Sequence, residues 1–388
     1  MTTISRRRLL QFVAASPLLA YTQAPGPSKP DEALDIFDFE TIAKRTLPPA
    51  HFGYLATGTD DEATLRANRE AIARYQLRMR RLVNVAKLDL SVTLFGKSYE
   101  TPIALAPVGS LRAFHPEAEG GAARAAKACR TLQMLSTTGS TAVEAVNEAR
   151  GEPVWYQLYP TDDWNVTRAL VSRAQKAGCT VLVLTVDNVG NNRLTQQRLT
   201  RQDERVCTSC HAMPGPRYFT ARPMFAGLDL SRATRLSPLD MDWTFVDRLR
   251  DITTMKIVLK GIVTREDAEL AKARGIDGLI VSNHGGRSED SGRGSIDCLR
   301  EVVPAAGGIP VLIDSGFRRG TDIFKALALG ATAVCIGRPY VWGLAAFGQT
   351  GVEQVLTILR RELELVMRQA GTTSISRINE SYVIERAK

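Results

Sequence analysis

Aromatic residues make up only 6 % of this 388-residue chain, and no lysine or arginine run interleaves with them. A nucleic-acid surface needs both features together, so nucleic acid is excluded as a partner. Six cysteines are too few for a disulfide scaffold in a chain of this length, and Cys129, Cys179 and Cys335 fall in apolar patterns that suit small buried hydrophobes. No transmembrane span is expected, because the apolar run 12–20 is too short for ~30 Å of hydrocarbon. Internal repeats and low-complexity tracts are also missing. What remains is 44 % apolar content, enough for a large core in either two ordinary domains or one α/β barrel with insertions, of which the single barrel is favoured. The formal charge of +9 is raised by Arg6, Arg7 and Arg8, but the rest of the excess is spread along the chain and suits an anionic substrate.

Residues 1–24 read as an export signal of the twin-arginine type: Ser5-Arg6-Arg7-Arg8-Leu9-Leu10-Gln11 precedes a short apolar stretch. That places the mature protein in the periplasm or otherwise outside the cytoplasm, by a route that carries proteins already folded. Residues 25–35 form a proline-rich linker, and 36–388 form one domain that opens with a helical lead-in over 36–77. Eight short apolar runs follow, at 103–108, 134–137, 154–159, 181–187, 257–262, 278–284, 311–316 and 334–337. Helical patterns at 117–131, 164–177, 265–274 and 320–329 lie between them, and 352–367 reads as a closing helix. Eight such units predict a closed (β/α)8 TIM barrel, with a doubly wound open sheet as the alternative. The irregular stretch 188–243 interrupts the alternation and has the length of a lid or binding loop.

Barrel chemistry belongs at the carboxyl ends of the strands. His284 is the only histidine at such an end, and histidine is the commonest base near neutral pH. Asp187 ends another strand and can orient the imidazole, while Arg287, three residues after His284, suits bidentate capture of a carboxylate. Near the last two strands Gly316, Gly320 and Gly337 leave backbone N–H groups open, and Arg318 and Arg338 add fixed charge, as a phosphate site requires.

These segments, with Ala56-Thr57-Gly58, His115-Pro116-Glu117, Gln157-Leu158-Tyr159, Leu184-Thr185-Val186-Asp187 and Ser282-Asn283-His284-Gly285-Gly286-Arg287, closely resemble the FMN-dependent α-hydroxy acid dehydrogenase/oxidase family. The resemblance spans 36–386 and implies oxidation of an L-2-hydroxy acid to the 2-oxo acid, with electrons passed to a quinone, a cytochrome or oxygen. It implies His284 as base, Asp187 as support for the imidazolium and Tyr159 as partner of the substrate hydroxyl. Tyr54, Arg193 and Arg287 would grip the carboxylate. FMN would lie against Pro107, Val108, Gly109, Ser136, Gln157, Thr185, Lys260 and Ser282, with its ribityl phosphate held by Asp314, Gly316, Arg318, Gly337 and Arg338. Relatives are commonly homo-oligomers. An FMN-dependent isomerase on a similar barrel and a non-catalytic flavin electron-transfer module are the alternatives.

Several positions depart from the family pattern. Its second substrate arginine falls on Leu194 unless one residue is deleted, which makes Arg193 the candidate. Gly109 is expected to leave room beside the flavin, and Thr138, where some relatives carry a large aromatic, room for a bulkier substrate. Cys207-Thr208-Ser209-Cys210-His211 has the spacing of covalent haem c attachment, but it also fits a local disulfide, a redox pair or a metal-binding loop.

Overall fold

The computed structural model describes residues 26–203 and 216–386. Eight parallel strands close on themselves: β1 (Ile103–Leu105), β2 (Leu132–Ser136), β3 (Trp155–Leu158), β4 (Val181–Thr185), β5 (Lys256–Lys260), β6 (Gly278–Val281), β7 (Val311–Ile313) and β8 (Ala333–Ile336). Closure is completed by β8 against β1, in the register Val334–Ile103, Cys335–Ala104 and Ile336–Leu105. The architecture is therefore the expected (β/α)8 barrel, and each strand falls within or beside one of the eight apolar runs. All strand residues are buried except Lys256. Burial on both faces is why these segments read as continuous apolar runs and not as alternating ones.

Each strand leads into a helix before the next strand begins, directly or, after β4, beyond the long insertion: α1 (Ala118–Ala128), α2 (Val143–Arg150), α3 (Trp164–Lys176), α4 (Trp243–Arg250), α5 (Arg265–Ala273), α6 (Ser295–Ala306), α7 (Gly320–Ala328) and α8 (Arg338–Ala370). Local signals start several of them. Asp163, Asp242 and Thr264 accept hydrogen bonds from backbone N–H groups in the first turns of α3, α4 and α5. Inside the barrel, Ala104, Met134, Val183, Val258, Ile280, Leu312 and Cys335 pack together above Leu94 and Tyr99 of a short hairpin. The barrel is thus a packed core that supports a site only at its rim.

The lead-in consists of helices Ile36–Thr46, Pro49–Ala56 and Ala63–Arg74, then strand Tyr75–Leu77, which pairs antiparallel with Val383–Glu385 near the other end of the chain. The closing helix starts earlier than expected: α8 runs from Arg338 and is broken at Phe347 and Gly348, so 352–367 lies in its second half. The stretch 188–243 contains helices Leu194–Arg201 and Pro216–Thr220. Cys207, Cys210 and His211 lie outside the described residues, as does the leader. Among the described residues no helix is long and apolar enough to cross a membrane. Cys179, Cys298 and Cys335 are buried thiols, and Cys129 is partly exposed.

Candidate active site

At the carboxyl rim a cavity opens between the ends of β1, β5, β6, β7 and β8. Its walls include Tyr54, Val108, Tyr159, Lys260, His284, Arg287, Asp314, Arg318 and Arg338, contributed by most of the barrel and by the lead-in. One end is basic. Arg318 stacks on Trp342, with its guanidinium carbon 4.9 Å from the ring centroid. Arg338 donates to the carbonyls of Gly285 (3.0 Å) and Thr57 (3.1 Å). Burial, with the like charge of Arg69, pushes Arg318 down to about 10; burial, with Arg318, pushes Arg338 down to about 9. Buried cations held among like charges call for an anion beside them.

The middle of the cavity floor is a polar chain. Lys260 on β5 donates to Ser282 Oγ (2.9 Å), which donates to Asp314 Oδ1 (2.6 Å). The ammonium also lies 3.4 Å from Asp314 Oδ2 and 3.9 Å from Asp187 Oδ2. Burial disfavours its charge, but the two carboxylates outweigh that and hold Lys260 above the usual lysine range. Gln157 donates to Thr185 Oγ1 (2.9 Å) across β3 and β4, which leaves buried Gln157 Oε1 without a protein partner. Ser136 Oγ pairs with Thr138 Oγ1 at 3.0 Å. Ser136, Gln157 and Thr185 lie buried at their strand ends, beside the cavity but outside its lining.

The other end carries the base. His284 Nδ1 is 2.8 Å from Asp187 Oδ1, and His284 Nε2 is 3.1 Å from the Tyr159 hydroxyl. Desolvation holds His284 below the ordinary histidine value despite Asp187. Burial opposes charge on Asp187, yet His284 and Lys260 overcome it and keep the carboxyl below the usual range. Tyr159 is driven well above the ordinary phenol by burial and then by Asp187, so it remains a donor. The network therefore assigns a neutral imidazole with its proton on Nδ1 and a lone pair on Nε2.

Arg287 lies over the Tyr54 ring at 4.3 Å and donates to the Tyr54 carbonyl, while its buried Nη2 has no protein partner. Burial and Arg193 push it down to about 9. Arg193, one residue before helix Leu194–Arg201, reaches the same ring at 5.8 Å, so the structure brings this arginine to the site without needing Leu194. Burial alone would raise the Tyr54 phenol; Arg287, Arg193 and Arg222 more than reverse that. Pro107, Val108, Gly109, Gly316 and Gly337 all line the cavity. Gly109 does not create spare room, because a Cβ there would meet Thr138 Oγ1 at 2.3 Å.

Sequence reasoning missed several contributors. Glu119, 1 % exposed, accepts from Leu111 N (3.1 Å), Ser140 N (2.7 Å) and Thr141 Oγ1 (2.8 Å), tying the turn after β1 to the turn after β2. Arg222 donates to Ser110 Oγ (2.7 Å), which anchors the long insertion to the same turn. These residues had no signal beyond a polar residue type in a helix or loop.

Residues 43–385 match the FMN-dependent dehydrogenase family. The chain belongs to that family. It is 41 % identical over 354 residues to the peroxisomal (S)-2-hydroxy-acid oxidase of Oryza sativa subsp. japonica, covering 90 % of this chain and 96 % of the relative. Glycolate oxidase 1 of Oryza sativa subsp. indica is 40 % identical, covering 91 % and 96 %. Among solved structures, mandelate oxidase superposes with a TM-score of 0.80 at 37 % identity, covering 91 % of this chain and 98 % of that one. A mutant of an active chimera of (S)-mandelate dehydrogenase reaches a TM-score of 0.82 at 32 % identity, covering 90 % and 99 %. The family's cofactor is FMN, and this cavity fits it: an anion-demanding basic end, a buried ammonium in the floor and an unpaired amide oxygen on Gln157 offer partners for phosphate and ring.

Proposed function

We propose that this oxidoreductase converts an (S)-2-hydroxy acid to its 2-oxo acid with FMN as acceptor. The observation that carries the reading is the chain Asp187–His284–Tyr159, aimed into the same cavity whose wall holds Arg287 with an unpaired buried N–H. Arg318, Arg338 and the turns at Gly316 and Gly337 would hold the FMN phosphate, and Asp314, Ser282, Lys260, Gln157, Thr185 and Ser136 the rest of the cofactor. Bound FMN supplies the two-electron sink for the substrate carbon.

The protein's own part is to bind, orient and move a proton. Arg287, with Arg193 and the Tyr54 hydroxyl, takes the substrate carboxylate and restores the charge balance that burial disturbs. Tyr159 positions the substrate hydroxyl beside His284. His284 Nε2 accepts the substrate's proton, and Asp187 stabilises the imidazolium that forms. The electrons would be passed on to a quinone, a cytochrome or oxygen. An isomerase or a bare electron carrier would leave His284 and Arg287 without a task.

The twin-arginine sequence at Arg6-Arg7 supports export of the loaded enzyme to the periplasm. Replacing Arg6 and Arg7 by lysine would then trap the enzyme in the cytoplasm, measured by fractionation. The reaction itself is tested by anaerobic mixing with a panel of (S)-2-hydroxy acids. Flavin bleaching by at least one acid in the wild type, slowed about 10²- to 10⁴-fold in His284→Ala, is the expected result. No bleaching with any acid, or normal bleaching in His284→Ala, overturns it.

A further inference from the structure

The base stands on an unusual backbone. His284 (φ +58°), Gly285 (φ +71°) and Gly286 (φ +73°) are three successive residues in the left-handed region. For the glycines this is easy; for a residue with a side chain it is costly and persists only when the surroundings over-determine it. Those surroundings are visible bond by bond. Gly285 N donates to Ser315 Oγ (2.9 Å), and Gly286 N donates to Asn283 Oδ1 (3.1 Å). Asn283 is itself gripped from outside the barrel strands. Asn68 Nδ2 donates to Asn283 Oδ1 (2.9 Å), and Asn283 Nδ2 donates back to Asn68 Oδ1 (2.7 Å).

This reciprocal amide pair joins positions 215 residues apart, with exposures of 1 % and 4 %. Asn283 Nδ2 also donates to the Arg293 carbonyl (3.1 Å), and Asn68 Oδ1 also accepts from Ser295 N (3.0 Å) at the start of α6. The helix that carries Asn68, Ala63–Arg74, approaches the turns at backbone distance. A Cβ at Gly286 would meet Leu65 N at 2.5 Å, and a Cβ at Gly316 would meet the Asn68 carbonyl at 2.9 Å. Asn68 is thus wedged between the turn bearing the base and the turn on the cofactor side.

We propose that Asn68 is a positioning residue for the reaction: through Asn283 it locks the left-handed turn that points His284 at the substrate. The proposal rests on His284 being the base. Asn68 is not among the residues that line the cavity. Without it, Asn283 loses one bond on each side of its amide and the turn can relax toward ordinary backbone angles, which misplaces the imidazole between Asp187 and Tyr159. Displacements of about 1 Å can cost about 100-fold in rate.

The test uses the FMN-loaded enzyme and stopped-flow anaerobic bleaching across pH, with FMN content measured alongside. Asn68→Ala is expected to slow bleaching by about 10- to 100-fold, to move its pH profile and to leave FMN content at the wild-type level. Asn68→Asp, which still accepts from Asn283 and Ser295 but cannot donate, is expected to fall between the two. In a His284→Ala background Asn68→Ala should add nothing, since both act through one group. Bleaching of Asn68→Ala within twofold of wild type, a loss matched by lost FMN, or an undiminished further loss in the His284→Ala background overturns the proposal. Wild-type bleaching by His284→Ala alone would instead overturn the base on which it rests.

Discussion

Asp187→Asn keeps the size of the side chain that faces His284 Nδ1 at 2.8 Å but removes its charge. The imidazolium formed in the reaction then has no counter-ion, and the expected loss in kcat is about 10²- to 10⁴-fold, the range for general acid–base catalysis. The pH dependence follows with a definite sign. The base works only when neutral, so kcat/KM falls as pH drops through the His284 pKa. That pKa lies below the ordinary 6.5 because of burial, so the acidic limb should sit below 6.5 in the wild type. Asp187 raises it, hence Asp187→Asn should move the limb further toward acid while lowering the plateau; a limb moving toward alkali would contradict this. Lys260→Met removes the ammonium from between two buried carboxylates. Breaking a buried pair this way costs about 3–5 kcal/mol, which thermal unfolding should register together with reduced FMN content. At this scale the reactive groups were legible because each is a polar residue at the end of an apolar run. Asn68 and Glu119 were not, because a buried polar residue inside a helical pattern looks like a surface residue until its partner from another segment is known.

The break in α8 shows what a single element decides. Phe347 (φ −145°, ψ 22°) and Gly348 (φ 61°, ψ −141°) interrupt thirty-three residues of helix, and a Cβ at Gly348 would meet Glu117 Oε1 at 2.6 Å. Backbone angles of this kind are essentially restricted to glycine, at about 1–3 kcal/mol for other residues. Gly348→Ala should therefore lower unfolding stability by about that amount while leaving the KM for the hydroxy acid unchanged, since the break lies away from the cavity lining. An unaltered melting temperature would contradict it. Local pattern announced the second half of this helix, from 352 onward, but not that Arg338, a cavity residue, begins the same element. The N-terminal proline and the glycine at 348 bracket the first half, yet only packing on α1 and the lead-in shows that the chain stays helical between them.

For the whole molecule, cofactor and fold are coupled. Stripping FMN leaves Arg318 and Arg338 buried without a counter-charge from the phosphate, so the apoprotein should melt earlier than the holoenzyme. Restoring FMN at a hundred times its Kd should return about 2.7 kcal/mol, and inorganic phosphate should return part of it by occupying the basic end. Identical melting of the two forms would contradict the assignment of that end. Truncation before Val383 should also destabilise, because it unpairs Tyr75–Leu77 and frees the lead-in that supplies Tyr54. By itself the sequence determined the eight apolar strands alternating with helical segments, and with them the barrel and its reactive rim, since strands buried on both faces write their burial into nearly every residue. Only the tertiary structure decided which segments meet there. The pairing of Asn68 with Asn283, the approach of Arg193 to the Tyr54 ring and the antiparallel join of Tyr75–Leu77 to Val383–Glu385 depend on distances that no local pattern encodes, because closing the barrel sets them all at once.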